Sequence, residues 1–188
     1  VQNPSKFFQL FREDQHAFGR GAGNFYRPLV SASFMFDCLW ARDGRAAGAA
    51  AERPHPNLKT LPFHISNTLW HIAAALLLFV LLTQLDAPRF VRATAPLIYV
   101  LHPLHTEAVA YISGRADMMS AVFMYVGLCF ALWMPPRPAK RILGWVAGAA
   151  SFGAALLSKE SSFIFPVLLA LCVFLRPWTG QETTMPGK

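Results

Sequence analysis

Apolar residues run along this chain in long blocks separated by short polar or proline-rich breaks, without the period-2 alternation of half-buried strands. The block over 63–85, FHISNTLWHIAAALLLFVLLTQL, is long enough to cross about 30 Å of hydrocarbon at about 1.5 Å per residue, and Pro62 suits a helix start. A second block, 91–112, meets His102 and Pro103 midway, which predicts a kinked or broken span. Further spans are expected over 117–134, ended by Pro135 and Pro136, over 142–157 after the basic hinge RPAKR, and over 161–175. Only Ser158, Lys159 and Glu160 separate the last two, so their connection is expected below the membrane surface. Residues 1–62 differ in character. Gly-rich and Ala/Arg-rich pieces there surround two short amphipathic stretches, one at 6–14 with Phe7, Leu10 and Phe11 on one helical face, the other at 29–40 after Pro28. They read as an extramembrane loop carrying two interfacial helices. The pattern therefore predicts an all-α, multi-pass membrane protein with about five spans, followed over 176–188 by a cytoplasmic tail or the start of a further loop.

Composition supports the membrane reading: 54% of the 188 residues are hydrophobic and 14% charged, against about 25% charged in a soluble domain. Lys and Arg total 17 against 10 Asp and Glu, a formal charge of +7. With apolar blocks of this length, anionic lipid or a phosphorylated substrate explains the excess better than nucleic acid. Cys38, Cys129 and Cys172 show no disulfide or metal spacing. The opening VQNPSK has no initiator Met and no apolar signal core, so the chain is expected to be a fragment of something longer. Alternate loops carry Arg89 and Arg92, then Arg137, Lys140 and Arg141, then Arg176, and the positive-inside rule makes these cytoplasmic. The N-terminal loop, residues 102–115 and residues 158–160 then emerge together on the other face, and most of the unusual polar residues fall there.

The segment HPLHTEAVAYISGRAD, residues 102–117, sets His102, His105, Glu107, Arg115 and Asp117 among apolar neighbours, and ionisable groups at membrane depth are functional candidates by default. A divalent metal can be drawn onto His102, His105 and Glu107, although no fixed ligand signature is matched and Pro103 disturbs helical spacing. The plainer alternative has the histidines capping helices and Arg115 pairing with Asp117 or Glu107. His64, Asn67 and His71 share one face of the first span, as an interhelical polar stripe or as the lining of a cavity. Lys159 and Glu160 either neutralise each other at a turn or present the lysine to an anionic ligand. In the N-terminal loop Glu13 and Asp14 offer a base and Arg27 a phosphate contact, or all three are simply solvated. Together, acids, phosphate-binding cations and a membrane-level cavity on one face point to an enzyme using a lipid-linked phosphate, in which a carboxylate takes the acceptor proton and cations or a metal steady the departing phosphate. Neither a nucleotide-binding glycine loop, nor a serine-nucleophile elbow, nor an HExxH motif supports another chemistry.

Taken in order, NFYRPLVSASF, FHISNTLWHIAAALLLF, LIYVLHPLHTEAVAYISGRADMMSAVF and LLSKESS resemble the transmembrane and tetratricopeptide-repeat O-mannosyltransferases over nearly the whole chain. The stretch 102–117 is the specific part; YRPL and SKE are weaker. The resemblance implies a GT-C membrane fold whose interfacial-helix loop packs over a donor cavity. It implies transfer of mannose from dolichyl phosphate mannose to Ser or Thr hydroxyls of proteins in the endoplasmic reticulum lumen, or from a polyprenyl donor on the periplasmic side of a bacterial inner membrane. Residue by residue, Asp14 matches an acidic position of the first loop, Arg27 the YRPL arginine, His102, His105, Glu107, Arg115 and Asp117 the hairpin signature, and Lys159 and Glu160 the later pair. On that basis Arg27, Arg115 and Lys159 are expected to contact the donor phosphate, Asp14 and Glu107 to offer the catalytic carboxylate, and His64, His71, His102, His105, Asp117 and Glu160 to shape the site. Expected partners are the lipid-linked sugar phosphate, an acceptor protein and membrane lipid; no cofactor beyond a divalent metal is in view.

Two departures temper this. The acidic pair that follows the family's first span would lie before Val1, so the usual catalytic base is expected to be absent and the fragment inactive alone. The stretch 42–56 is longer than usual. Two rival classes remain: a non-catalytic membrane scaffold of the same fold, and a transporter relaying protons through His102, His105, Glu107 and Lys159. Against the transporter, the polar residues cluster on one face and no inverted repeat is visible.

Overall fold

A computed structural model describes residues 26–41, 59–133 and 135–182, with side chains to residue 175. The first amphipathic stretch, with Glu13 and Asp14, and the long piece at 42–56 lie outside the described residues. Among those described every element is helical and there is no strand: α1 Pro28–Ala41, α2 Leu61–Gln84, α3 Arg89–Leu101, α4 Pro103–Ala110, α5 Arg115–Leu132, α6 Pro138–Leu156 and α7 Phe165–Glu182. Single 3-10 turns precede α5 (Ile112–Gly114) and α7 (Glu160–Ile164).

Among the described residues two helical runs are long and apolar enough to cross a bilayer, Leu61–Gln84 and Ile112–Leu132. The block expected to kink is broken: His102 takes an extended backbone (ψ 128°) because the following Pro103 disfavours a helical residue before it, and Pro103 then opens α4. His102 also caps that helix, its Nδ1 accepting from the Leu104 N–H at 3.2 Å. α6 begins earlier than the apolar block, since Pro138 from the basic hinge serves as its first residue and draws Lys140 and Arg141 into the helix. α7 continues through residue 182, past the boundary at 175 expected from hydropathy. The α2–α3 turn closes through Asp86 at φ 54°, a left-handed position that aspartate tolerates better than most residues.

α5 is the centre of the bundle, packed against α1, α2, α6 and α7. Its contact with α6 depends on small residues. A Cβ on Gly148 would lie 3.2 Å from the Gly127 carbonyl oxygen, and one on Gly144 would lie 3.1 Å from that of Phe130. The G-x-x-x-G spacing of Gly144 and Gly148 thus lets two backbones approach as membrane helices often do. Beside it Leu81, Leu85, Leu128, Leu132, Phe165 and Cys172 form an apolar cluster. α1, expected as a surface element, is buried along most of its length. The outside of the bundle is apolar instead: Phe90, Leu101, Leu104 and Phe174 are each 76–79% exposed. So much uncovered hydrocarbon suits lipid rather than water.

Candidate functional site

Arg27 stands just before the proline that opens α1, and its guanidinium forks onto Glu160, with Nη2 2.8 Å from Oε2 and Nε 3.4 Å from Oε1. Glu160 opens the 3-10 turn ahead of α7. Its neighbour Lys159 is ion-paired with Asp117 in the first turn of α5, where the helix dipole favours a negative charge. The Arg27 hydrogen bond holds the Glu160 carboxyl below its ordinary value, against the opposing effect of burial. Three segments far apart in sequence thereby converge at one end of the bundle. The cations lie lower, 19% and 27% exposed, and the carboxylates above them are half exposed. Phosphate oxygens, like carboxylate oxygens, accept charge-assisted hydrogen bonds from such cations, so a phosphate group can compete with either acid here.

Beneath this layer the α6–α7 connection is pinned by hydroxyls. Ser162 Oγ donates to the Ala155 carbonyl at 2.9 Å, which spends its single proton, so Ser120 Oγ donates to Ser162 at 2.7 Å. Ser120, Ser158 and Ser162 are all buried. The connection expected below the membrane surface is therefore fastened to α5.

Arg115 occupies a different place from the one expected. Its side chain has no exposed surface. Nε donates to Asn67 Oδ1 at 2.8 Å, Nη1 to Ser33 Oγ at 3.3 Å and Nη2 to the Phe63 carbonyl at 3.1 Å, while the Asp37 carboxylate lies 2.5 Å away and the Phe34 ring 4.3 Å away. The guanidinium is consumed in tying α1, α2 and α5 together, and a direct phosphate contact does not go with that enclosure. Neither of the partners expected for it, Asp117 or Glu107, is the one it has. Gly114, next to it, has a packing reason: a Cβ there would meet the Ala108 backbone at 2.7 Å, so the turn before α5 can close on α4 only without a side chain.

Asn67 carries the node onward. Its Nδ2 donates to the carbonyls of Val109 and Tyr111, both at 3.3 Å, fixing the end of α4. On that side a cavity of about 300 Å³ is lined by His64, His71, His105 and Thr106 with Val100 and Val109. His71 is 5% exposed, its ring 5.0 Å from Tyr99 and 5.4 Å from His105. Its Nε2 is a long 3.5 Å from the Val100 carbonyl and its Nδ1 has no hydrogen-bond partner, a state that costs about 1–3 kcal/mol for a buried polar group. His102 lies at the edge, 6.1 Å from His105, and Glu107 is exposed on α4. Among the described residues no three of His, Cys, Asp and Glu converge in a way that would hold a metal ion, so His102, His105 and Glu107 do not make a ligand set.

Of the expected residues, then, Arg27, Asp117, Lys159 and Glu160 come together in one charged layer, His64, His71 and His105 in one cavity, and Arg115 lies in the node beside it; Asp14 is outside the described residues. The sequence reading missed Ser33, Asp37, Tyr99, Ser120 and Ser162. Asp37 had a signal, as the single acid of the apolar stretch 29–40.

The chain is 30% identical over 165 residues to protein O-mannosyl-transferase Tmtc1 of Drosophila melanogaster, covering 87% of this chain and 17% of that protein. To the human protein O-mannosyl-transferase TMTC2 it is 32% identical over 143 residues, 74% of this chain and 15% of the relative. With mouse protein O-mannosyl-transferase TMTC3 the identity is 25% over 164 residues, 86% and 16%. The chain thus spans about a sixth of the length of the curated relatives it matches. No family model and no solved structure matches it.

Proposed function

We propose that this chain, which belongs to the TMTC family of protein O-mannosyltransferases, forms part of a membrane glycosyltransferase that moves mannose from a dolichyl or polyprenyl phosphate to Ser or Thr hydroxyls of proteins. The observation that carries the reading is the convergence of Arg27, Lys159, Asp117 and Glu160 at one end of an apolar bundle. In this account the donor phosphate takes Arg27 and Lys159 in place of the two acids. A carboxylate, from Glu107 or from Asp14, accepts the hydroxyl proton as the acceptor oxygen bonds to the anomeric carbon. The bond from that carbon to the phosphate oxygen breaks, and the lipid phosphate leaves with its new charge held by the two cations. Arg115 acts as a positioning residue, holding α1 and α2 in register with α5. His64, His71 and His105 line the adjoining cavity, and His102 caps the helix at its edge. The fold belongs to the GT-C type, the protein is multi-pass in the endoplasmic reticulum membrane of a eukaryote or the inner membrane of a bacterium, and the charged layer faces the lumen or periplasm.

A second reading, a non-catalytic scaffold of the same fold, is favoured by the pairwise neutralisation of both cations. Mannose transfer by membranes carrying the full-length protein separates the two. Arg27→Ala and Lys159→Ala are each expected to lower kcat/KM for the lipid donor by about tenfold or more, the worth of a charged hydrogen bond in the transition state. Transfer unchanged in both variants would give the scaffold reading the better claim.

A further inference from the structure

We infer that the histidine-lined cavity between α2, the end of α3 and α4 is the subsite for an uncharged hexose ring, next to but chemically distinct from the layer that takes the phosphate. This rests on the mannosyltransferase reading and adds where the sugar sits. At about 300 Å³ the cavity is at the small end for ligand sites, the scale of one sugar ring and not of a polyprenyl chain. Its lining offers three imidazoles and the Thr106 hydroxyl among aliphatic residues, and no formally charged side chain. The cations of the region are engaged elsewhere, Arg27 and Lys159 with their acids and Arg115 in the buried node.

The state of His71 points the same way. The Val100 carbonyl can only accept, so the proton belongs on Nε2, and Nδ1 is left as a buried lone pair without a donor. A sugar hydroxyl supplies such a donor once the ring turns Nδ1, which has no accessible surface as it stands, toward the cavity. Tyr99 stacks on His71 at 24° and lies 4.3 Å from His105, which fixes both ring planes without itself lining the cavity. Flat rings at the wall also suit the apolar C–H faces of a pyranose. Asn67 ties the wall at Val109 to Arg115, so the sugar subsite and the helices bearing the phosphate layer are held in one frame.

The test is carbethoxylation of the full-length protein by diethyl pyrocarbonate, mapped by peptide mass spectrometry, with methyl α-D-mannopyranoside, a Ser/Thr peptide or inorganic phosphate added separately. The mannoside is expected to slow modification of His64 and His105 several-fold and to leave His102, which does not line the cavity, unchanged. Thr106→Val, a near-isosteric change at an exposed position, is expected to weaken that protection without altering thermal unfolding. No slowing, equal slowing at His102, or slowing by phosphate or peptide but not by mannoside would overturn the inference. Mannose transfer without protection overturns it while leaving the enzyme reading intact; protection in a protein that transfers no mannose keeps the cavity's ligand and sinks the enzyme reading.

Discussion

A guanidinium with no exposed surface needs its charge and its donors met by the protein, and Arg115 meets both through Asp37, Asn67, Ser33 and the Phe63 carbonyl. Removing one member of such a pair strands the other in a low dielectric. Arg115→Met should therefore cost about 3–5 kcal/mol, and pairing it with Asp37→Leu should recover much of the loss, read as a double-mutant cycle in thermal or denaturant unfolding of the solubilised protein. A single variant as stable as the parent would remove Arg115 from its structural role. The sequence marked Arg115 as special but could not say why. Its partner lies on α1, and nothing local distinguishes an arginine that awaits a phosphate from one that already holds an aspartate. Lys159, Asp117, Arg27 and Glu160 were legible as candidates but their pairing was not, because both pairs join residues that the fold alone brings together. Tyr99 escaped notice for the same reason, since its importance lies in the rings it fixes.

Among the elements, those with strong one-dimensional causes were readable. The long apolar block gave α2, Pro103 gave the break before α4, and the Ser158–Glu160 interruption gave the α6–α7 turn. Hydropathy misjudged the ends of α6 and α7, since a helix start set by Pro138 and a helix continuing past 175 depend on backbone chemistry more than on apolar content. It also made α1 peripheral, where Asp37 and the small residues Ser31 and Ala32 let it pack inward. The α5–α6 contact was not anticipated at all. Gly148→Leu should drive a side chain into the Gly127 carbonyl and Ala131, and cost about 1–3 kcal/mol by overpacking. Gly153→Leu, where an added Cβ meets nothing within 4 Å, is the control and should leave thermal unfolding of the solubilised protein nearly unchanged. Equal effects of the two would dissolve the small-residue seam.

For the molecule as a whole, the hydrophobic pattern made an all-helical bundle readable, with helices long and apolar enough to cross a membrane, and family membership followed from the order of motifs along most of the chain. Individual side chains were harder, because a site built at the junction of α1, α4, α5 and the α6–α7 turn has no contiguous signature. The bundle is polar at one end, with Arg27, Asp117, Lys159 and Glu160 at the starts of their elements, while the turns at Asp86 and Arg137 close the other end. The central claim is that the charged end holds the donor phosphate. The direct measurement is photo-crosslinking of the full-length protein in membranes with a diazirine-bearing polyprenyl phosphate, the labelled peptides being identified by mass spectrometry. The account predicts adducts on the peptides that carry Arg27 and Lys159–Glu160, lost on competition with unlabelled polyprenyl phosphate. Adducts confined to the turns around Asp86 and Arg137 would contradict it.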